Sequence, residues 1–143
     1  MLTILDKKYE VEGNKITCQL LVGFTKDCNL LNNKVHGSIV DAVQYNFCGK
    51  YKNNLKCGYG FSAEFLVKGV AKCNQSVDEF DKEKGAKIAL YRALHKLNTM
   101  EMELMNMYSN KVITDVLMKL DTLQEKIRLH IVDNCEILKG LIK

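Results

Sequence analysis

Residues 77–94 read VDEFDKEKGAKIALYRAL, and at this stretch the chain changes character. Before it, apolar residues alternate with polar ones or cluster in short runs. After it, apolar residues recur every three or four positions, as on one face of a helix. Ser76 and Glu79 fit a capping box that opens a helix near Val77. We therefore predict a single domain, 1–143, with a β-rich half over about 1–75 and a helical half over about 76–143.

The β-rich half contains two runs typical of strands, KITCQLLVGF (15–24) and GFSAEFLVKGVAKC (60–73). EGNK (12–15) predicts a turn between the first run and a short preceding strand, KKYEVE. The middle is ambiguous, because SIVDAVQY is compatible with a short helix. We favour strands there, since alternate positions repeat in character: Val35, Gly37, Ile39, Asp41 and Val43. KYKNN (50–54) is predicted to be an exposed loop.

The helical half carries a first apolar stripe at Ala86, Leu90, Ala93, Leu97, Met100 and Leu104. YSN (108–110) interrupts it and can cap a second helix. That helix has a similar stripe at Val116, Leu120, Leu123, Ile127, Ile131, Leu138 and Leu141, and more apolar residues beside it. The predicted fold is α+β, an N-terminal antiparallel sheet followed by a two-helix antiparallel hairpin. The width of the second stripe predicts subunit contacts, so we expect a homodimer or a higher homo-oligomer.

Composition excludes few classes of function. The net charge of +4 is a mild excess that favours anionic partners without requiring nucleic acid. The six cysteines have irregular gaps that do not fit a metal site, so we expect reduced core thiols and a cytoplasmic protein. Neither a signal peptide nor an apolar run long enough for a membrane span is seen, and no membrane association is expected.

The chain offers little that could carry catalysis. His36, His95 and His130 are scattered, and the sequence has no HExxH, GxSxG or P-loop motif. We therefore expect no enzymatic activity, no catalytic residue, no cofactor and no metal.

One side of the helix that begins the second half is a better candidate for binding. It collects Asp81, Gly85, Ile88, Arg92 and Lys96. A glycine inside a helix costs about 1 kcal/mol relative to alanine, and close approach of a ligand or of another backbone explains its presence. Arg92 offers a fork of donors that suits phosphate. The alternatives are that Gly85 lets the helix cross a strand and that Arg92 pairs with Glu83, with Asp81 or with a neighbouring chain.

The segment before this helix adds polar groups at a helix N-terminus, a place that attracts anions. They are Asn74, Ser76, Asp78 and Asp81. Carboxylates there can accept hydrogen bonds from ribose hydroxyls. From composition and spacing alone, the function is that of an anion-binding or protein-binding α+β domain.

The stretch GVAKCN followed by DEFDKEKGAKIALYRAL resembles a signature of small phage proteins, the first family of Thoeris anti-defence proteins. The matching positions are Gly69, Val70, Ala71, Cys73, Phe80, Asp81, Glu83, Gly85, Ile88, Ala89, Arg92, Ala93 and Leu97. Members of this family are sponges that sequester cyclic ADP-ribose isomers made by TIR-domain enzymes. The motif covers about thirty residues, and the order of sheet and helices extends the likeness loosely over the chain.

The resemblance implies that the chain binds a cyclic nucleotide signal, such as glycocyclic ADP-ribose, in the host bacterial cytoplasm without degrading it. Arg92 would hold phosphate and Asn74 would lie near ribose. Phe65, or else Phe61, would stack on adenine. Some family members also bind cyclic oligonucleotides at a separate site.

The chain departs from the family pattern in two places. NQSVDEFD has Ser76 where the family has an acid, so Asp78 is the expected substitute. No arginine precedes Arg92 to match a second family arginine, and Lys15, Lys26 or Lys34 would replace it.

Two other functions stay open. A strand-rich half followed by a lysine-bearing helix is loosely similar to the end of a double-stranded RNA-binding fold. We do not expect nucleic acid, because acids occupy the helix start. The predicted hairpin could instead dock on another protein.

Overall fold

The computed structural model describes residues 1–26, 37–74 and 81–142. Strands β1 (Leu2–Glu12) and β2 (Lys15–Phe24) precede helix α1 (Gly37–Lys50). Strand β3 (Leu55–Cys57), a 3-10 turn (Gly60–Ser62), strand β4 (Glu64–Lys72) and helix α2 (Lys82–Ile142) follow. The four strands form one antiparallel sheet in the order β1-β2-β4-β3. The predicted α+β class and the antiparallel sheet at the N-terminal end are confirmed.

The first two strands form a hairpin at the predicted turn. Glu12 pairs with Lys15, and Gly13 between them has φ of 59°, a left-handed conformation that glycine adopts without a steric penalty. Along β2 every second side chain is buried (Ile16, Cys18, Leu20 and Val22), because one face of the sheet is covered. The strand β1 is longer than the predicted KKYEVE, and most of its side chains are exposed.

The prediction of strands in the middle of the chain was wrong for residues 37–50, which form α1. Ile39, Val43 and Phe47 recur at a spacing of four and are all buried, as are Gln44 and Cys48. The helical period of this apolar face outweighs the alternation that favoured a strand, because only the helix buries all of these side chains together. Val35 and His36 lie outside the described residues. Residues 51–54 form the predicted loop.

Three aromatic rings from different elements hold α1 against the sheet. Phe47 of α1 lies 5.3 Å from Phe65 of β4 and 5.7 Å from Phe24 of β2, measured between ring centroids, and the pairs meet edge to face. Phe47 and Phe65 are fully buried. Edge-to-face pairs of this kind add about 0.5–1.5 kcal/mol beyond their buried area.

The first part of α2 packs closely on β4 and β2, and the contacting positions are small. A Cβ atom at Gly69 would collide with the carbonyl oxygen of Ala89 and with the backbone nitrogen of Ala93. Both alanines are buried. Leu97, Met100, Leu104 and Tyr108 continue this buried face. The predicted stripe is confirmed from Ala93 to Leu104, whereas Ala89 takes the buried place expected for Leu90.

The structure has one long helix where a two-helix hairpin was predicted. α2 runs without interruption through residues 108–110, and the Thr114 hydroxyl donates to the Asn110 carbonyl, four residues earlier in the same helix. Serine and asparagine cost a helix interior only a few tenths of a kcal/mol each. The chain has no proline that would force a break. The YSN sequence therefore does not end the helix.

The chain divides into two compact units, Met1–Tyr108 and Ser109–Lys143. The first contains the sheet, α1 and the packed part of α2. In the second, which we call the arm (109–142), no described residue is buried.

The expected cysteine chemistry is confirmed in part. Cys18 and Cys48 are buried free thiols, as predicted, but Cys57 and Cys135 are exposed. Cys28 lies outside the described residues. Within the described ranges, no helix is both long enough and apolar enough to cross a membrane.

Candidate anion-binding groove

The described helix α2 begins at Lys82, later than the predicted start near Val77, because Asp81 caps it. The Asp81 carboxylate accepts a hydrogen bond from the Lys84 backbone N–H (3.0 Å), and its carbonyl accepts one from the Gly85 N–H (2.9 Å). The carboxylate thus satisfies a free N–H group of the first turn. Asp81 serves here as the helix cap. The proposed capping pair Ser76 and Glu79, together with Asp78, lies outside the described residues.

Gly85 lies against the sheet. A Cβ atom there would come within 2.9 Å of Cδ1 of Ile16 on β2. The absence of a side chain at Gly85 therefore makes room for Ile16. This agrees with the alternative in which the glycine lets the helix cross a strand. Gly85 is not among the residues that line the groove described next.

A groove of about 610 Å³ lies beside β4 on the exposed side of α2. Its described lining consists of Val70, Lys84, Lys87, Ile88, Tyr91, Arg92, His95 and Lys96. All but Val70 come from α2, where spacings of three and four place them on one face. None of these lining residues is acidic. The lining thus has four basic side chains on about three turns of helix, an arrangement that suits an anion.

Arg92 and Lys96 reach from this face to the edge of the sheet. Arg92 Nη1 donates to the Val70 carbonyl at 2.6 Å, and Lys96 Nζ donates to the Lys68 carbonyl at 2.8 Å. Lys68 and Val70 are two residues apart, so their carbonyls point to the same side of β4. Among the described residues, β3 pairs with β4 only at Glu64 and Phe65. The two cations therefore cover carbonyls of a sheet edge that would otherwise face only solvent.

The hydrogen bond to Val70 leaves most of the Arg92 guanidinium available. Arginine has five N–H donors, and one is accounted for here. Within the described part of the chain, Arg92 has no carboxylate partner, so the predicted alternative of an ion pair is not seen. The Asp81 carboxylate caps the helix, and Oε1 of Glu83 lies 3.4 Å from Nζ of Lys87. That exposed pair holds Lys87 only weakly.

The apolar part of the groove consists of Ile88, Tyr91 and Val70. Tyr91 is 70% exposed, although it is a large aromatic residue. Tyr91 lies four positions after Lys87 and four before His95, so a planar group stacked on its ring would lie beside these side chains. An exposed tyrosine beside cations suits a ligand that has both an aromatic ring and negative charge.

The structure separates the aromatic residues that the sequence nominated from this groove. Phe65 is fully buried between Phe24 and Phe47, on the face of the sheet that α1 covers. Phe61 is 54% exposed on the 3-10 turn, near Tyr45 and Tyr59, whose rings lie 5.4 Å apart. Neither phenylalanine lines the groove.

The remaining nominated residues lie near its ends or elsewhere. Asn74 is exposed just beyond the end of β4. Lys15 begins β2 and pairs with Glu12 and Lys72 in the sheet, and Lys26 follows β2. Lys34 lies outside the described residues. Arg92 and Lys96, together with Ile88 from the same predicted helical face, are thus the nominated residues that the structure brings into the groove.

Sequence reasoning missed Lys84, Lys87, Tyr91 and His95. The signal was present, because these four residues follow one another at spacings of three, four and four and therefore share one helical face.

No cysteine of the described ranges lines the groove. Burial raises the pKa of the Cys18 and Cys48 thiols, which keeps both protonated at neutral pH. A hydrogen bond to Glu64, with some burial, raises the pKa of Cys57 as well. In the described ranges, no group of three or more His, Cys, Asp or Glu side chains is placed to hold a metal ion.

Comparisons with protein families, with characterised proteins and with solved structures give no match for this chain.

Proposed function

We propose that the chain binds an anionic nucleotide of the cyclic ADP-ribose class in the α2 groove and sequesters it without turnover. The observation that carries this proposal is the position of Arg92. Its guanidinium is anchored by one hydrogen bond to β4 and presents its other donors among Lys84, Lys87 and Lys96. A fork held in place loses less rotational freedom on binding phosphate than a free side chain does.

The size and composition of the groove support a small molecule. Its volume of about 610 Å³ lies within the usual range for ligand sites, roughly 300–1,000 Å³. Cations on both sides of Tyr91 allow a diphosphate to contact Arg92 and a lysine while a base rests on the tyrosine ring. The cyclic ADP-ribose class has this combination of diphosphate, ribose and adenine. The choice of that class rests on the resemblance of residues 69–97 to the phage sponge family.

Binding without turnover is supported by the chemistry of the lining. Its described side chains include no carboxylate, thiol or aliphatic hydroxyl that could act as a nucleophile. His95 is the lining residue of the type most often used as a general base, and no hydrogen bond from a described residue orients its ring. A phage protein with such a groove would lower the free concentration of an immune signal in the cytoplasm of the infected host.

The test is direct binding followed by recovery of the ligand. Purified protein is titrated calorimetrically with a panel of cyclic ADP-ribose isomers, including glycocyclic ADP-ribose, and of cyclic oligonucleotides. We expect saturable binding of one class and chemically intact ligand after the protein is denatured. Absence of binding across the panel, or release of a modified ligand, would contradict the proposal.

A row of cations on one helical face also suits the phosphates of an RNA duplex, which is the second candidate. Nucleic-acid binding of that kind weakens steeply with salt, because bound counterions are released. A duplex RNA added to the same titration separates the candidates. Salt-sensitive binding of RNA with no binding of cyclic nucleotides would favour the nucleic-acid module.

A further inference from the structure

The arm has an uncharged face along its whole length. When Ile113 is assigned to position a of a seven-residue repeat, no charged Lys, Arg, Asp or Glu falls at a, d or e. The a positions are Ile113, Leu120, Ile127, Asn134 and Leu141; the d positions are Val116, Leu123, His130 and Ile137; the e positions are Leu117, Gln124, Ile131 and Leu138. This unbroken spacing of three and four is the pattern of helices that pack side by side.

The apolar side chains of this face are exposed in the single chain. Their exposed fractions run from 49% for Val116 and Leu120 to 77% for Leu141. Ten such side chains, at on the order of 100 Å² each, offer roughly 1,000 Å². One side of a standard protein–protein interface buries about 800 Å². The arm alone therefore has enough apolar surface for a stable interface.

We propose that the arm associates with the arm of a second copy of this chain, a and d positions packing together as a coiled coil. The charges favour a second copy over an acidic or a basic partner. The arm carries five basic residues (Lys111, Lys119, Lys126, Arg128 and Lys139) and five acidic ones (Asp115, Asp121, Glu125, Asp133 and Glu136). Its net charge is therefore zero, and the face that packs carries none of these charges.

Local ion pairs further reduce any attraction for a charged partner. Nζ of Lys119 lies 2.9 Å from Oδ2 of Asp115, and Nη2 of Arg128 lies 2.7 Å from Oε1 of Glu125. Each pair lies within about one turn of the arm. These pairs lie at positions b, c, f and g, outside positions a, d and e. Apolar contacts and the few polar side chains at a, d and e then decide the pairing.

Asn134 makes this face self-complementary. It is the one amide at an a position, and a buried amide is costly unless it is hydrogen-bonded. In a parallel pairing in register, Asn134 meets Asn134 of the second copy, and the two amides bond to each other. An asparagine at one a position is known to specify register in this way. A second copy supplies the matching polar group at the matching height.

The test compares two glutamate substitutions in the full chain. Ile127→Glu places a charge at an a position, and Met118→Glu places the same charge at position f, outside the packing face. The two native side chains are similarly exposed, 59% and 66%. Molar mass is measured by sedimentation equilibrium across protein concentrations. No described residue of the arm is buried, so both variants are expected to leave the first unit folded.

The wild-type chain is expected at a multiple of its 16.3 kDa mass. Ile127→Glu is expected to weaken association about tenfold or more, while Met118→Glu leaves it unchanged. Leu120→Glu provides a second variant at an a position with the same expectation. A wild-type chain that stays monomeric at the highest protein concentration measured would overturn the proposal and assign the arm to a different partner. Equal weakening by Met118→Glu would also overturn it.

Replacement of Asn134 tests the register independently. Asn134→Leu removes the one amide from the a positions, so the thermal midpoint of the assembly is expected to rise while its single mass gives way to a mixture. A lower midpoint with no change in mass would contradict the assigned packing face. These measurements need no ligand, so their result does not depend on the proposed function.

Discussion

The guanidinium of Arg92 and the backbone carbonyl of Val70 lie 2.6 Å apart and share a hydrogen bond. This contact ties the basic face of α2 to the edge of β4. It gives Arg92 two roles, since it satisfies a sheet carbonyl and also presents its remaining donors to the groove. The first role is expected to affect the free energy of unfolding, and the second is expected to affect ligand affinity, so the two are measured separately.

Replacement of Arg92 by alanine is expected to have a small effect on stability and a large effect on binding. Loss of one exposed hydrogen bond costs about 0.5–1.5 kcal/mol of unfolding free energy. Loss of the phosphate fork should reduce affinity for a cyclic ADP-ribose isomer about tenfold or more. Urea denaturation and calorimetric titration measure the two effects.

Arg128→Ala is the matched control, because Arg128 is the other arginine and lies in the arm beside Glu125. It should leave affinity unchanged. Equal loss of affinity in both variants would point to general electrostatics and away from the groove.

Gly69→Ala is expected to destabilise the fold strongly. The new methyl group would meet backbone atoms of Ala89 and Ala93, and backbone cannot rotate aside as a side chain can. The cost should be about 3 kcal/mol or more, at the upper end for overpacked cores. Urea denaturation at fixed protein concentration measures it.

Gly140→Ala provides the contrast, since no atom lies within 4 Å of a methyl group at that helical position. It should stabilise α2 by up to about 1 kcal/mol through helix propensity alone. If Gly69→Ala were tolerated as well as Gly140→Ala, the close packing of α2 on β4 would be wrong.

Asp81→Ala should remove the N-terminal cap of α2. The free energy of unfolding is expected to fall by about 1 kcal/mol, because the Lys84 N–H loses its side-chain acceptor. Asp81→Asn keeps an acceptor oxygen and should recover most of the loss. The two variants are compared by denaturation at neutral pH. If neither differs from the wild-type chain, Asp81 does not cap the helix.

Stability should fall at alkaline pH because of the buried thiols. Burial raises the pKa of Cys48 above its ordinary 9.0, so the unfolded chain releases this proton at lower pH than the folded chain. The stabilising contribution is fully present below pH 9 and is lost as the pH rises through the folded pKa. The same sign applies to Cys18.

The measurement is the denaturation midpoint from pH 7 to pH 10.5 (a range that roughly brackets the ordinary thiol pKa). Cys48→Ala should flatten the decline above pH 9, whereas Cys135→Ala, at an exposed position, should not. An unchanged decline in Cys48→Ala would show that other groups control the alkaline limit.

Much of the strand-rich half could be predicted, because alternate residues of a strand face the same side. Only one choice of buried face places Ile16, Cys18, Leu20 and Val22 in the core together. α1 could not, since the residues from Gly37 to Val43 satisfy both periods over a short window. Burial of Phe47 against Phe24 and Phe65 decides the matter, and those contacts join residues far apart in sequence.

The candidate site was predicted only in part, through Arg92 and Lys96. Gly85 had two readings of similar weight, and the position of Ile16 on a neighbouring strand shows which contact the bare backbone makes. Phe65 was expected to stack on adenine through the family resemblance alone, because the sequence does not say which side of the sheet a strand residue faces. Which side is covered depends on where α1 packs.

By itself the sequence determined the α+β class, the β1–β2 hairpin with its glycine turn, and the position of the basic residues of α2 on one helical face. These are local properties, set by side-chain periodicity and by the conformational freedom of single residues. Only the tertiary structure decided what faces that helix. The approach of α2 to Gly69 brings Arg92 and Lys96 to the edge of β4, and a contact between residues 22 positions apart in the chain leaves no local pattern to read.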